Sequence, residues 1–564
     1  MVPDSKLSIA FGGPLEDEPG MGPLTIPAYL HEVVRRHGPA EAVIMWEGEH
    51  RIAWSYDDLL ARAQDVAKAL IAAGLGRDER VGILMTNRPE FLASLFGTSL
   101  AGGVPVALST FSTAPELDHL IRASQASILL FESQVLKTDF RAMISALEPA
   151  IDRPEPLASA HFPYLSRLVS VGGEARGAVT GWDDFLAAGA TIPLAQVEAR
   201  SAGIVPSDTG GIFFSSGTTS LPKGIVHSHR AFCVQWWRWP RVFCMNHPVR
   251  SWTCNGFFWS GNISMVGGAA LSTGGAIVLQ RWFDAEEALR LIEREKVSFI
   301  NGRPHQWVRL QGAANWDNAD LSSLKYVPRG ELIWQHPTVD TDWDVPMAFG
   351  TTETMTIGTG MQADATKEDY AGSFGRPFPG NTIKIIDPFP REPLPLGQIG
   401  EFCIKGPTLM SGYLGKAPED CFDDSGFYCT GDGGWIDETG RFFWDGRLTD
   451  MIKTGGANVA PMEVDETIIK LPGVKRSQTG GVPDDLLGEM VVACVVPADG
   501  ARLDEAGIIA HVKASLASFK VPRRVLFFTD EDYALTGNEK IKTSVLRDLA
   551  VKRLEAEAQA AASA

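Results

Sequence analysis

Phe213-Phe214-Ser215-Ser216-Gly217-Thr218-Thr219-Ser220-Leu221-Pro222-Lys223-Gly224 is an apolar, strand-like approach running into six small or hydroxylated residues, then a proline, a lysine and a glycine. Such a loop lets backbone N–H groups converge on phosphate oxygens, while the hydroxyls of Ser215, Ser216, Thr218 and Thr219 add donors and Lys223 adds a point charge. It is not a Walker A loop: Pro222 stands where a glycine should precede the lysine, and Gly224 where Ser or Thr would meet magnesium. A Ser/Thr-rich surface turn is the bland reading of the same composition, so the surroundings of the loop have to decide.

Upstream, strand and helix patterns alternate. Helical periodicity covers Tyr29 to Arg36 and Tyr56 to Ala73, with Ala42 to Trp46 extended between them and Ser55, Asp57 and Asp58 forming a helix start. Arg80 to Met85 reads as a buried strand, Arg88 to Ala101 as a helix and Val104 to Leu108 as a strand. Leu117 to Ala123 is then helical and Ser127 to Phe131 extended. This rhythm predicts βαβ units and a parallel sheet, whose ligands sit at the carboxyl ends of strands, where the 215–224 loop lies. Between about Pro149 and Ala202 the pattern weakens to loops, one strand at Leu168 to Val171 and a short helix near Trp182. Downstream, Ser228 to Arg238 is helical and Asp284 to Lys296 is a helix leading into the strand Val297 to Ile300. The aromatics Trp236, Trp237, Trp239, Trp252 and Phe257-Phe258-Trp259 read first as packed core and second as the wall of an apolar pocket beside the small residues Gly267 to Gly275.

With 564 residues the chain exceeds one hydrophobic core, and 45% hydrophobic with 21% charged residues is ordinary for a globular protein. A net charge of −18 argues against nucleic acid or an anionic membrane surface, yet leaves room for a polyphosphate at one locally basic site. The seven cysteines form no C-x-x-C pair and read as buried or free thiols in a reducing compartment. No signal-peptide pattern and no apolar run of membrane-spanning length are present, so stable membrane insertion is not expected and a cytoplasmic address is. The oligomeric state is not readable, and a homodimer stays open.

Two further stretches carry chemistry. Phe349-Gly350-Thr351-Thr352-Glu353 offers a bend, two hydroxyls and one carboxylate, which suits magnesium held by a single acidic ligand plus phosphate oxygens. Tyr428-Cys429-Thr430-Gly431-Asp432 puts a carboxylate after a tight turn, placed to accept both hydroxyls of a ribose; a turn aspartate capping its own backbone is the alternative. Last comes Gly446-Arg447-Leu448-Thr449-Asp450-Met451-Ile452-Lys453-Thr454-Gly455-Gly456-Ala457-Asn458-Val459.

In this order and at these separations, the motifs resemble those of the adenylate-forming superfamily, which includes acyl-CoA synthetases, luciferase and peptide-synthetase adenylation domains. The acyl-CoA synthetase branch looks most similar, through the Gly455–Val459 turn. The resemblance implies an α/β protein: a large N-terminal domain over 1–448, of stacked α/β sheets plus a β-barrel-like subdomain, and a small mobile α+β domain over 449–564, hinged near Thr449. It implies ATP, magnesium and coenzyme A as cofactors and a small carboxylic acid as substrate. In the matching positions Ser215, Ser216, Gly217, Thr218, Thr219 and Lys223 would hold the β- and γ-phosphates, and Arg329, Gly330 and Glu331 would lie along the adenine. Phe349 would stack on the adenine, Gly350, Thr351 and Thr352 would reach the nucleotide with Thr352 at the α-phosphate, and Glu353 would bind the metal. Asp432 would hold the ribose with Arg447 assisting, Gly455 and Gly456 would border the pantetheine tunnel, and Lys540 would be the essential lysine, with Lys542 second. Trp259, Asn262, Gly267 and Met355 fall where relatives line the acyl pocket, while His227 and His229 read as packing or hydrogen-bonding residues. Three positions depart from the pattern: Glu539 replaces the glycine before the lysine, Thr449 the hinge Asp or Lys, and Trp259 a gate histidine. The implied activity is ATP-dependent acid:CoA ligation through an acyl-adenylate. Loading of a carrier protein's phosphopantetheine and nucleotide binding without turnover are the alternatives.

Overall fold

The computed structural model describes residues 6–173, 175–215, 222–388, 391–448, 452–454, 457–459, 461–484, 487–516, 520–532 and 543–562. The alternating segments build an eight-stranded sheet in the order Val179–Gly181, Arg167–Val171, Ile128–Glu132, Arg80–Leu84, Val104–Ala107, Thr209–Ser215, Lys223–Ser228 and Gly412–Tyr413. Its first six strands run parallel, as the βαβ rhythm predicts. The last two are antiparallel, because the 215–224 loop closes a hairpin instead of leading into a crossover helix. A five-stranded sheet, Phe299–Asn301, Arg250–Thr253, Ala276–Leu279, Glu41–Glu47 and His50–Ser55, lies beyond.

Between the two sheets sits the largest apolar cluster. Ile83 and Leu130 enter it from one sheet, Val43 and Leu279 from the other, and helices Ile26–His37, Tyr56–Ala72, Pro89–Leu100, His229–Val242 and Ser260–Leu271 fill the space. Burial of these faces removes apolar area from water at roughly 25 cal/mol per Å². The start at Ser55 is a capping box, Asp58 N–H donating to Ser55 Oγ at 3.1 Å while Asp58 Oδ2 accepts from Ser55 N–H at 2.9 Å. Helix Ser260–Leu271 carries Gly267 and Gly268 at its crossing with His229–Val242: a Cβ on Gly268 would meet Trp239 Cβ at 3.0 Å and Trp236 Cα at 3.1 Å. These glycines let two helices approach, and Gly267 faces the Trp236 indole there. The weak region between Pro149 and Ala202 holds more order than its pattern indicates, namely the edge strand Val179–Gly181 and helix Leu194–Ala202, whose single buried residue, Val197, gives too faint a periodicity to read.

A third sheet, Ile9–Phe11, Thr382–Ile386, Gly400–Lys405, Tyr428–Ile436 and Phe442–Arg447, is antiparallel throughout and forms the barrel-like part. Toward the C-terminus, Gly488–Pro497 pairs antiparallel with Val474–Asp484 and parallel with Arg524–Phe527, and helices Pro461–Ile468 and Glu505–Ser515 contribute to a separate apolar core. This is the small α+β part. Among the described residues no helix is long and apolar enough to cross a membrane.

Candidate active site

Three of the predicted residues, Ser215, Lys223 and Glu353, come together at the hairpin mouth. Ser215 and Lys223 are direct partners across the hairpin, at the carboxyl end of the parallel strands. Lys223 Nζ lies 5.7 Å from the centroid of the Tyr413 ring, and Lys416 Nζ lies 5.7 Å from the same ring. Two cations about one aromatic ring make a locally basic patch in an acidic protein. The Tyr413 hydroxyl donates to Glu353 Oε1 at 2.9 Å and pairs with the Tyr428 hydroxyl at 3.0 Å. Burial first, then the Glu353 carboxylate and Tyr428, hold the Tyr413 phenol well above its ordinary range, so it stays a hydrogen-bond donor.

Two groups behind the strands fix the bend that carries Glu353. His227 Nε2 meets the Thr352 carbonyl at 2.8 Å, and Gln235 Nε2 donates to the Thr354 and Ile357 carbonyls at 3.2 and 2.7 Å. The bend needs such clamps because Met355 and Thr356 have φ of +50° and +105°, a left-handed region that a β-branched residue rarely enters. Gly350 is required in turn, since a Cβ there would overlap the Thr356 carbonyl oxygen. The Thr351 hydroxyl is buried without a hydrogen-bond partner among the described residues. Phe349 is only 6% exposed and packs on Phe402 and Phe442 at 4.7 and 5.5 Å, so its ring shows little face to a ligand.

Asp432 sits in the barrel sheet in register with Arg447, 3% exposed, with Trp444 Nε1 donating to Oδ1 at 3.2 Å. A ladder slip opposite Phe402 bulges Thr430, Gly431 and Asp432 out of the strand, and Gly431 takes the positive φ of +73° that this requires. Gly330 also has positive φ, +91°, in an exposed turn with Arg329, followed by the half-buried Glu331.

On the other side, Trp259 is the N-cap of its helix, with the Arg303 guanidinium 5.7 Å from its ring centroid. Asn262 is tied to the Gly256 carbonyl at 3.0 Å and to Asn301 Nδ2 at 2.8 Å. Met355 is wholly buried in the main core. Ser216, Gly217, Thr218, Thr219, Thr449, Gly455, Gly456 and Lys540, together with Glu539 and Lys542, lie outside the described residues, as does the side chain of Arg447. Sequence reading missed Tyr413 and Lys416; the only signal for them is a Gly412-Tyr413-Leu414-Gly415-Lys416 run whose strand pairs with Lys223–Ser228, a contact between residues nearly two hundred positions apart.

Comparison with known proteins adds to this geometry. The chain matches the AMP-binding enzyme family over residues 30–414 and the AMP-binding enzyme C-terminal domain over residues 463–540. The chain belongs to the AMP-binding enzyme family. Within the wider adenylate-forming superfamily it lies in the acyl-CoA synthetase branch, and by family it is an AMP-forming acid–thiol ligase. It is 32% identical over 511 residues to the 3-[(3aS,4S,7aS)-7a-methyl-1,5-dioxo-octahydro-1H-inden-4-yl]propanoyl:CoA ligase of Mycobacterium tuberculosis, covering 89% of this chain and 95% of that one. Feruloyl-CoA synthase of Amycolatopsis is 30% identical, with 88% and 94% covered. Among solved structures, ATP-bound MatB from Rhodopseudomonas palustris superposes with a TM-score of 0.74 at 26% identity, over 94% of this chain and 99% of that one.

His227 and His229 are core hydrogen-bonding groups of this AMP-binding enzyme, as the sequence suggested; His229 Nδ1 accepts from Ile26 N–H at 3.3 Å. Burial pulls both imidazoles down to about 4. An unfolded histidine titrates near 6.5, so below that pH the unfolded chain takes up protons that the folded one refuses. Stability is therefore full above pH 6.5 and declines as pH falls toward 4, each histidine removing about 2 kcal/mol by pH 5. Thermal melts between pH 7.5 and 5 should show this fall, and His227→Gln, which keeps a donor for the Thr352 carbonyl, should flatten it.

Proposed function

We propose that the chain activates a carboxylic acid with ATP, forming an acyl-adenylate and pyrophosphate, and then transfers the acyl group to coenzyme A with release of AMP. The observation that carries this reading is the convergence of Glu353 and Lys223 on Tyr413 at the mouth of a hydroxyl-rich hairpin loop. A carboxylate carbon is a poor electrophile, so the acid oxygen first attacks the α-phosphorus of ATP and pyrophosphate leaves. Lys223 and the loop hydroxyls would meet the β- and γ-phosphates, the orphaned Thr351 hydroxyl and Thr352 the α-phosphate, and Lys540 the charge that grows there. Arg329 to Glu331 and the edge of Phe349 would bound the adenine, and Asp432, helped by Arg447, the ribose.

Glu353 suits a magnesium ion: it is half-buried, presents one carboxylate held by one tyrosine, and no cluster of three metal-ligating side chains exists among the described residues. A single protein carboxylate plus phosphate oxygens is the coordination magnesium favours, and bound there it would offset charge on the leaving pyrophosphate. For the second step the thiol must reach the acyl carbon where the Lys540 loop had been. This is the physical reason for a mobile part from residue 449, pivoting near Thr449, with Gly455 and Gly456 beside the pantetheine. A cytoplasmic setting belongs to the same proposal.

Two relatives name ring-bearing acids, and Trp259 and Asn262, backed by Met355 and Gly267, would give such a group an apolar wall with one polar edge. Pyrophosphate release with coenzyme A present, measured over short, long, aromatic and polycyclic acids, tests the function: turnover with none of them contradicts it. Replacing coenzyme A by a holo carrier protein separates the two acceptors. Asp432→Asn should raise the KM for ATP by about tenfold, the size of one lost hydrogen bond to a charged group, and erase any preference over 2′-deoxy-ATP.

A further inference from the structure

Cys403 and Cys429 oppose each other directly across the antiparallel strands Gly400–Lys405 and Tyr428–Ile436. Opposed residues in such a ladder hold their Cα atoms about 4.5–5.5 Å apart, inside the range a disulfide bridges without moving the backbone. Both thiols are free, and neither enters the reaction described above. Cys403 is wholly buried and Cys429 half-buried, so a small solute meets Cys429 first.

The two thiols are unequal. Arg391 Nη2 donates to Cys429 Sγ at 3.1 Å. Cys429's thiol is lowered, by Cys403 first and with help from Arg391, against burial and the Glu401 and Asp423 carboxylates. Cys403's is raised, first by Cys429 and then by burial and Glu401, with Lys384 opposing. Cys429, the more exposed sulfur and the one beside Arg391, is the one a peroxide meets first.

Their position makes them matter. Three residues, Thr430, Gly431 and Asp432, bulge against the single Phe402 immediately beyond the pair. Thr430 Oγ1 donates to the Phe402 carbonyl at 2.9 Å, and Gly431 N–H to Glu401 Oε1 at 3.1 Å. On the other side of Cys429 is Tyr428, whose hydroxyl pairs with Tyr413 and so with Glu353. A bond between the sulfurs leaves the backbone in place but locks both side chains and takes the Cys429 sulfur from Arg391, stiffening the strand that carries the ribose carboxylate on one side and the Tyr428 contact to the metal carboxylate on the other.

We propose that Cys403 and Cys429 form a peroxide-modified thiol site, whose internal disulfide weakens nucleotide binding. The Cys429 thiolate attacks one oxygen of hydrogen peroxide, the O–O bond breaks and hydroxide leaves, taking up the proton that Cys429 gave to solvent. The Cys403 sulfur then attacks the Cys429 sulfenic sulfur, the S–O bond breaks and the departing hydroxide takes the Cys403 proton. Two thiols lose two electrons and the peroxide becomes two waters. The effect on nucleotide rests on the ligase reading of Asp432 and Glu353; formation of the bond does not.

The test is a titration of the purified full chain with hydrogen peroxide, followed by non-reducing peptide mapping and by calorimetric ATP binding before oxidation, after it, and after dithiothreitol. Expected are a linked pair of peptides joining Cys403 to Cys429, ATP affinity weaker by about tenfold, and recovery on reduction. Cys429→Ser should give no link, and Cys403→Ser should stop at a Cys429 sulfenic acid that dimedone traps. Oxidation of other cysteines with this pair left reduced overturns the site, and a link that leaves ATP affinity unchanged overturns its effect. Reduced protein that binds no ATP overturns the ligase reading instead, while the peptide map still decides the thiol chemistry.

Discussion

Lys540→Ala is expected to slow acyl-adenylate formation by about 10²–10³ while thioester formation from supplied acyl-adenylate keeps most of its rate. The asymmetry follows from charge. In the first half-reaction negative charge builds on the α-phosphate and the departing pyrophosphate, and a fixed ammonium is stronger there than in the ground state. In the second, AMP gains one negative charge on the oxygen released from the acyl carbon, but the thiol takes the space where the Lys540 loop had been, so this step needs that opening more than the Lys540 cation. Single-turnover assays of each half-reaction measure the two rates separately. Equal losses in both would assign Lys540 another role. Lys542→Ala should leave both rates within a few-fold; if it instead splits them, the essential ammonium is Lys542, two residues along.

Glu353→Gln should lower kcat for adenylation by a similar 10²–10³, with little change in stability. The amide keeps an oxygen that can accept from the Tyr413 hydroxyl, now at 2.9 Å, and the backbone bond from Met410 N–H to the Glu353 carbonyl at 2.7 Å is untouched. What disappears is the negative charge. A loss of activity that excess magnesium partly restores, in a variant whose melting temperature matches the wild type, identifies the carboxylate as the metal's protein ligand. A variant that melts early would show Glu353 to be a strut of the bend instead.

The parts of this protein that could be read from its residues are those whose chemistry is local. Period-2 and period-3.6 patterns gave the parallel strands and the helices between them, because each strand and helix buries one defined face. The hydroxyl-rich loop, the Gly350–Glu353 bend and the Gly431–Asp432 turn announced themselves because each needs glycine or short side chains at fixed spacing. Tyr413 and Lys416 could not be found this way, since their meeting with Glu353 and Lys223 depends on an edge strand returning from far along the chain. The small residues at 267 to 270 were ambiguous for a different reason. Glycine serves a ligand wall and a tight helix crossing equally well, and the crossing rests on Trp236 and Trp239, whose approach from another helix no local pattern announces. Phe349 could be read as an aromatic beside the bend, but not its packing on Phe402 and Phe442, which come from barrel strands further along the chain.

The account depends above all on ATP being divided between its α- and β-phosphates at this hairpin mouth. Exchange of labelled pyrophosphate into ATP without coenzyme A measures that step alone. The account predicts exchange that requires a carboxylic acid and magnesium and falls by about 10²–10³ in Glu353→Gln. Protein that binds ATP yet exchanges no pyrophosphate with any acid offered would contradict it.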